Sequence, residues 1–154
     1  VVDTARQPTA AWPGHVVERR LAGAVERARW WRGVAADPGA WGALQAPPAP
    51  LLCAGIGQPQ RLVAMLSGVG VTVELQPLAD HFDFAELPWP TGALHVIVTE
   101  KDAVKLDPAR VARERPGTRV WVVPLRFELP AVLLDELAGR LTTRGFQPRR
   151  PRPA

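Results

Sequence analysis

The stretch LLCAGIGQPQRLVAMLSGVG, residues 51–70, decides the fold of this chain. LLCAGI reads as a strand, Gly55 and Gly57 turn the chain, and Pro59 suits the first helical turn, where its missing N–H costs nothing. Leu62, Met65, Leu66 and Val69 then recur at steps of three and four, which gives the helix one apolar face.

Downstream the scheme repeats. VTVELQPL from Val71 reads as a strand, followed by a short segment from Phe82 to Leu87. LHVIVT from Leu94 is a third strand, then come a short helix, the strand RVWVVPL from Arg119, and a last helix from Ala131 to Arg144. Strands alternating with helices imply a parallel sheet. The expectation is an α/β fold, a small three-layer parallel-sheet domain over 51–144.

Residues 1–50 carry weaker signals. VVD reads as the end of a strand and TARQPTAAWPG as loop, and a chain opening on Val1 suggests a missing N-terminal part. Between Val16 and Trp31, Val17, Leu21, Ala24, Ala28 and Trp31 suit an amphipathic helix, while Ala22-Gly23 suits the turn of a hairpin. Trp30-Trp31 fit packing against the domain or an interfacial anchor beside arginines.

A net charge of +4 raises the question of nucleic acid, but Arg149, Arg150 and Arg152 sit in a Pro-rich tail without an acid, leaving +1 for the body. That balance, without an aromatic-basic repeat, argues against a nucleic-acid partner. The tail, 145–154, is expected to be disordered. The single cysteine, Cys53, excludes an internal disulfide and lies in an apolar run as a buried structural thiol. No apolar run approaches the roughly 20 residues that span a bilayer, so the expected compartment is the cytoplasm.

Three β-like runs end in polar or glycine-rich sequence, and in open α/β sheets such carboxyl ends line one crevice. The first end is GIGQPQR, with Gly55 and Gly57; it suits a tight turn or an anion contact equally and matches no P-loop or dinucleotide motif. The second carries Asp80-His81, a pair suited to proton transfer near neutral pH or to a structural histidine. The third is TEKDAVK, where Thr99 and Asp102 have capping spacing and Lys101 and Lys105, four apart, share a helical face able to meet an anion or simply water. These two are the only lysines among 19 basic residues, which suggests selection for a compact charge.

AGIGQPQRL, PLADHFDF, VIVTEKDAVKL and WVVPLRFELP, in this order and spacing, resemble the C-terminal half of the tetraacyldisaccharide 4′-kinase family, the lipid A 4′-kinases. The resemblance implies transfer of the ATP γ-phosphoryl group to the 4′-hydroxyl of tetraacyldisaccharide 1-phosphate, at the cytoplasmic face of the inner membrane. It implies that residues 1–50 close an N-terminal domain and form a β-stranded connector, which favours the hairpin. It further implies that ATP and Mg²⁺ are held by a P-loop domain outside this chain, and that His81, beside Asp80, supports that domain's catalytic aspartate. Gly55, Gly57, Lys101, Asp102 and Lys105 are the candidate cleft residues. Phe82 stands where the family often has a second histidine, so no role tied to that ring carries over. On the resemblance this chain alone neither binds ATP productively nor transfers phosphate. The rival expectation is a non-catalytic α/β module holding an anionic lipid or a partner protein.

Overall fold

The computed structural model describes residues 2–3 and 15–143; the 4–14 loop and the 145–154 tail expected above lie outside the described residues. In chain order the elements are β1 (Val2–Asp3), β2 (His15–Val16), β3 (Glu18–Leu21), β4 (Val25–Glu26), α1 (Arg27–Trp30), a 3-10 turn (Pro38–Trp41) and α2 (Gly42–Gln45). They continue with β5 (Leu51–Cys53), α3 (Pro59–Gly68), β6 (Glu74–Gln76), β7 (His95–Val98), α4 (Glu100–Ala103), α5 (Pro108–Glu114), β8 (Arg119–Val122), β9 (Leu125–Glu128) and α6 (Ala131–Thr143).

Five strands form one sheet in the order β4-β8-β7-β5-β6. β8, β7, β5 and β6 are mutually parallel, as expected, and β4 adds an antiparallel edge by pairing Val25 with Val122 and Glu26 with Trp121. Alternation along the strands sorts the apolar side chains into two clusters, one on each face. Cys53, Val96, Val98, Val120 and Val122 meet Phe84, Trp89, Ala103, Leu106 and Val111 on one side. Leu52, Ala54, Ile97 and Trp121 meet Trp41, Leu44, Leu62 and Leu66 on the other. The result is three layers, with α3 and α2 covering one face and α4, α5 and the 84–89 loop covering the other.

Neither alternative for 16–31 forms. β3 pairs with β9 and β4 with β8, so the two strands belong to different sheets and make no hairpin, and only Arg27–Trp30 is helical. The separation occurs at Gly23, where φ is +133 and an added Cβ would lie 2.4 Å from the Asp37 carbonyl carbon. Ala24 and Asp37 exchange backbone hydrogen bonds across that approach. Local periodicity loses here to strand partners about a hundred residues away in the chain. Trp30 packs against the first cluster, whereas Trp31 is 55% exposed with the Arg27 guanidinium 4.3 Å above its ring.

Other boundaries also move. The strand expected from Val71 starts at Glu74, because Val71 turns inward to plug the core beside Leu66. The expected short helix after β7 is two helices, since Asp107 accepts a hydrogen bond from the Ala109 N–H and Pro108 starts α5 anew. RVWVVPL breaks at Pro124, beyond which the chain leaves the sheet and pairs with β3.

The chain divides into two compact units. Leu21–Arg126 contains the sheet and begins well before the boundary expected at residue 51, because Ala24, Val25, Trp41 and Leu44 are core residues. The other takes in Val1–Arg20 and Phe127–Ala154; its described part includes the parallel β1–β2 pair and α6, whose Val132, Leu134, Leu137 and Leu141 are exposed. No helix among the described residues is long and apolar enough to cross a membrane.

Candidate active site

β5, β6 and β7 are neighbours running the same way, so their carboxyl ends deliver the three polar segments to one edge of the sheet. Hydrogen bonds then tie the segments together. The Gly55 carbonyl accepts from the His81 N–H at 3.1 Å and from Lys101 Nζ at 3.3 Å, and the Gly55 N–H donates to Asp102 Oδ2 at 3.1 Å. Glycine suits this close crossing: an added Cβ would meet Phe82 N at 3.0 Å, Phe82 Cβ at 3.1 Å and Asp102 Oδ1 at 3.2 Å, each tighter than an ordinary contact. Gly57 stands more freely, with only Asp80 Oδ2 at 3.6 Å from such a Cβ.

Asp102 is fully buried, and its partners explain how a carboxylate is tolerated there. Thr99 caps α4 by accepting the Asp102 N–H at 3.2 Å, and its hydroxyl donates back to Asp102 Oδ2 at 2.7 Å. Lys105 Nζ lies 3.4 Å from Asp102 Oδ1 and donates to the Phe82 carbonyl. Burial, with the Asp102 charge adding to it, pushes the Cys53 thiol up to about 12, so this sulfur is a packed and unreactive group.

The Asp80-His81 turn takes an uncommon backbone. His81 has φ 60 and Phe84 has φ 59, left-handed values that side-chain-bearing residues rarely adopt. The loop is pinned on both flanks. Asp83 Oδ1 accepts the Ala85 N–H at 2.9 Å, Arg110 donates to the Phe84 and Ala85 carbonyls at 2.9 and 2.6 Å, and Phe82 meets Phe84 edge to face. Arg110 has no motif that marks it in the sequence; the legible signal is Asp107-Pro108, which starts a helix whose first turn points an arginine back toward the loop.

The two catalytic candidates themselves are open to solvent, His81 at 77% and Asp80 at 50% of their side-chain surface. Asp80 Oδ1 accepts the His81 backbone N–H at 2.9 Å and lies 3.5 Å from Lys101 Nζ. Its Oδ2 is 3.8 Å from His81 Nε2, beyond hydrogen-bond range, so Asp80 attracts an imidazolium but does not lock the ring in one tautomer. Lys101 and Lys105 do not share a helical face, because α4 ends at Ala103. Lys105 is spent on the loop, while Lys101 is 41% exposed with two long contacts and keeps donor capacity for an anion.

Among the described residues no three His, Cys, Asp or Glu side chains come together to hold a metal ion, and Asp80 already faces an ammonium. Mg²⁺, which the resemblance assigns to a P-loop domain outside this chain, finds no donor set among these described residues. A cavity of about 440 Å³ lined by Arg27, Arg115, Thr118 and Arg119 lies at the amino end of β8, the opposite edge of the sheet from the Asp80-His81 turn.

A profile of the family described as tetraacyldisaccharide-1-P 4′-kinase matches residues 5–142. The chain is 48% identical over 144 residues, 94% of its length, to a tetraacyldisaccharide 4′-kinase of Leptothrix cholodnii. It is 50% identical over 127 residues, 82% of its length, to another of Methylibium petroleiphilum. It spans only 41% and 35% of those two relatives. In fold it is similar to a crystal structure of LpxK from Aquifex aeolicus in complex with ATP, with a TM-score of 0.54 and 17% identity over 88% of this chain and 38% of that one.

Proposed function

Because the chain belongs to the tetraacyldisaccharide 4′-kinase family, we propose that it forms one wall of the active-site cleft of such a kinase, which moves the γ-phosphoryl group of ATP to the 4′-hydroxyl of tetraacyldisaccharide 1-phosphate. The observation that carries this reading is the Asp80-His81 turn, its backbone bonded to Gly55 while its imidazole stands 77% exposed, with the Asp80 carboxylate 3.8 Å away. A ring so presented suits a partner from outside the unit.

Phosphoryl transfer asks the protein chiefly for positioning and charge stabilisation. His81 Nε2 would hydrogen-bond and hold a carboxylate base contributed by the P-loop domain, so that the base takes the proton of the 4′-hydroxyl as the new P–O bond forms. Lys101, exposed beside Asp80, would meet phosphate oxygens of the lipid or the nucleotide. ATP would be held by the P-loop domain, and the Mg²⁺ chemistry belongs there too. The exposed leucines of α6 would be covered by that remaining part of the kinase, and a substrate with four acyl chains would place the work at the inner-membrane surface.

The test is a chimera in which this chain replaces its 144-residue counterpart in the Leptothrix cholodnii relative. His81→Ala should lower kcat by about 10²-fold or more, the scale of a lost proton-transfer partner, and leave the KM for ATP unchanged. An undiminished kcat would refute the role of His81.

A further inference from the structure

The imidazole of His81 is exposed, yet the backbone that carries it is closely held. Its N–H donates to the Gly55 carbonyl, and one residue further on the Phe82 carbonyl accepts from Lys105 Nζ. Lys105 in turn lies 3.4 Å from Asp102 Oδ1, and Asp102 Oδ2 accepts the Gly55 N–H at 3.1 Å, which closes a ring of contacts around the His81–Phe82 peptide. Asp102 is fully buried and Lys105 is 26% exposed. An ammonium has three donors, and two of these already have partners inside the unit, with the Phe84 ring 5.6 Å away on another side.

We propose that Asp102 and Lys105 are positioning residues for His81. The buried carboxylate fixes the ammonium, the ammonium fixes the Phe82 carbonyl, and His81 is thereby kept at its left-handed φ of 60 with the ring turned outward. Without the clamp a residue with a Cβ relaxes toward negative φ, and the imidazole leaves its place at the cleft. The proposal rests on the kinase reading above and assigns Lys105 to the loop, not to the substrate; of the two lysines only Lys101 faces the anions.

The same chimera tests it, with Lys105→Met, which keeps the length and packing of the chain while removing its donors, and with Asp102→Asn as a second variant should the first fold poorly. Hydrogen exchange of the peptide covering 79–84 should quicken by about tenfold while that of β7 holds, as for a local opening. The kcat should fall by about 30-fold with the KM for ATP unchanged, the pattern of a misplaced catalytic group. In the His81→Ala background Lys105→Met should cost less than about threefold more, because the group it positions is already gone. Equal losses with and without His81, or unchanged exchange at 79–84, would overturn the positioning role alone. A rate indifferent to His81→Ala would instead overturn the kinase reading of His81, and this proposal with it.

Discussion

The two glycines of the GIG turn should respond unequally to the same added methyl group. At Gly55 the new Cβ meets a backbone nitrogen at 3.0 Å, a side-chain carbon at 3.1 Å and a buried carboxylate oxygen at 3.2 Å, none of them the far end of a flexible chain. Overpacking of this kind costs about 1–3 kcal/mol, and the alanine returns about 0.4–1 kcal/mol by restricting the unfolded chain. The net expectation for Gly55→Ala is a loss of about 1–2 kcal/mol. For a unit of this size that lowers Tm by roughly 4 °C per kcal/mol. At Gly57 the Cβ meets only Asp80 Oδ2 at 3.6 Å, an ordinary contact, and neither position has positive φ, so Gly57→Ala should stay within about 0.5 kcal/mol of the parent. Urea unfolding of the parent and both variants, followed by tryptophan fluorescence, measures the difference directly. Equal stabilities for the two variants would refute the account of Gly55 as the crossing point of the three segments. Because the obstacle is the Phe82 amide, Gly55→Ala should also lower kinase turnover in the chimera more than Gly57→Ala does.

Further outcomes concern two titrating groups. Cys53, fully buried with its thiol pushed up to about 12, should resist a thiol reagent at pH 8 in the folded chain and react fully in denaturant. Its raised value also means that this site's share of stability is present below the ordinary thiol value of 9.0 and is lost as pH climbs toward 12; Cys53→Ala should flatten that alkaline loss in thermal melts. His95 is held below its ordinary 6.5, by burial first and by the Arg119 charge second, and its Nδ1 accepts the Trp121 indole N–H at 3.0 Å. A depressed value means that the contribution is complete above 6.5 and is lost as pH falls through the lower folded value. His95→Gln should shrink the acid-side drop in Tm relative to the parent, and an identical pH profile would refute the assignment.

The parts of the fold that a linear sequence exposes are those whose pattern is local. Leu62 and Leu66 announce α3 because a helix buried on one side repeats every three or four residues, and Thr99 with Asp102 announces α4 by its cap. β4 is silent because two residues, Val25 and Glu26, have no period, and their partner in β8 is far along the chain. At the site, the strand-end rule brings Gly55, Asp80, His81 and Asp102 to one edge, but the division of labour between the lysines is not legible. Spacing alone sets Lys101 and Lys105 on one face. The helix stops at Ala103 because Leu106 is drawn into the core and Asp107 must leave helical geometry ahead of Pro108, which sends the second lysine under the loop. Arg110 is hidden for a similar reason, since its targets are backbone carbonyls, which carry no side-chain signature.

The antiparallel edge strand has a topological consequence. Val25 lies opposite Val122, and the Ala22 N–H still bonds the Pro124 carbonyl at 2.9 Å, so the unit is entered and left through adjacent doorways. A segment with its two ends together can be cut out, or spliced into another host loop, with both junctions made at one spot and almost no chain entropy spent on closing it. The sheet and the Asp80-His81 turn thus lie between two neighbouring chain ends, the geometry that insertion of a unit into a host loop requires.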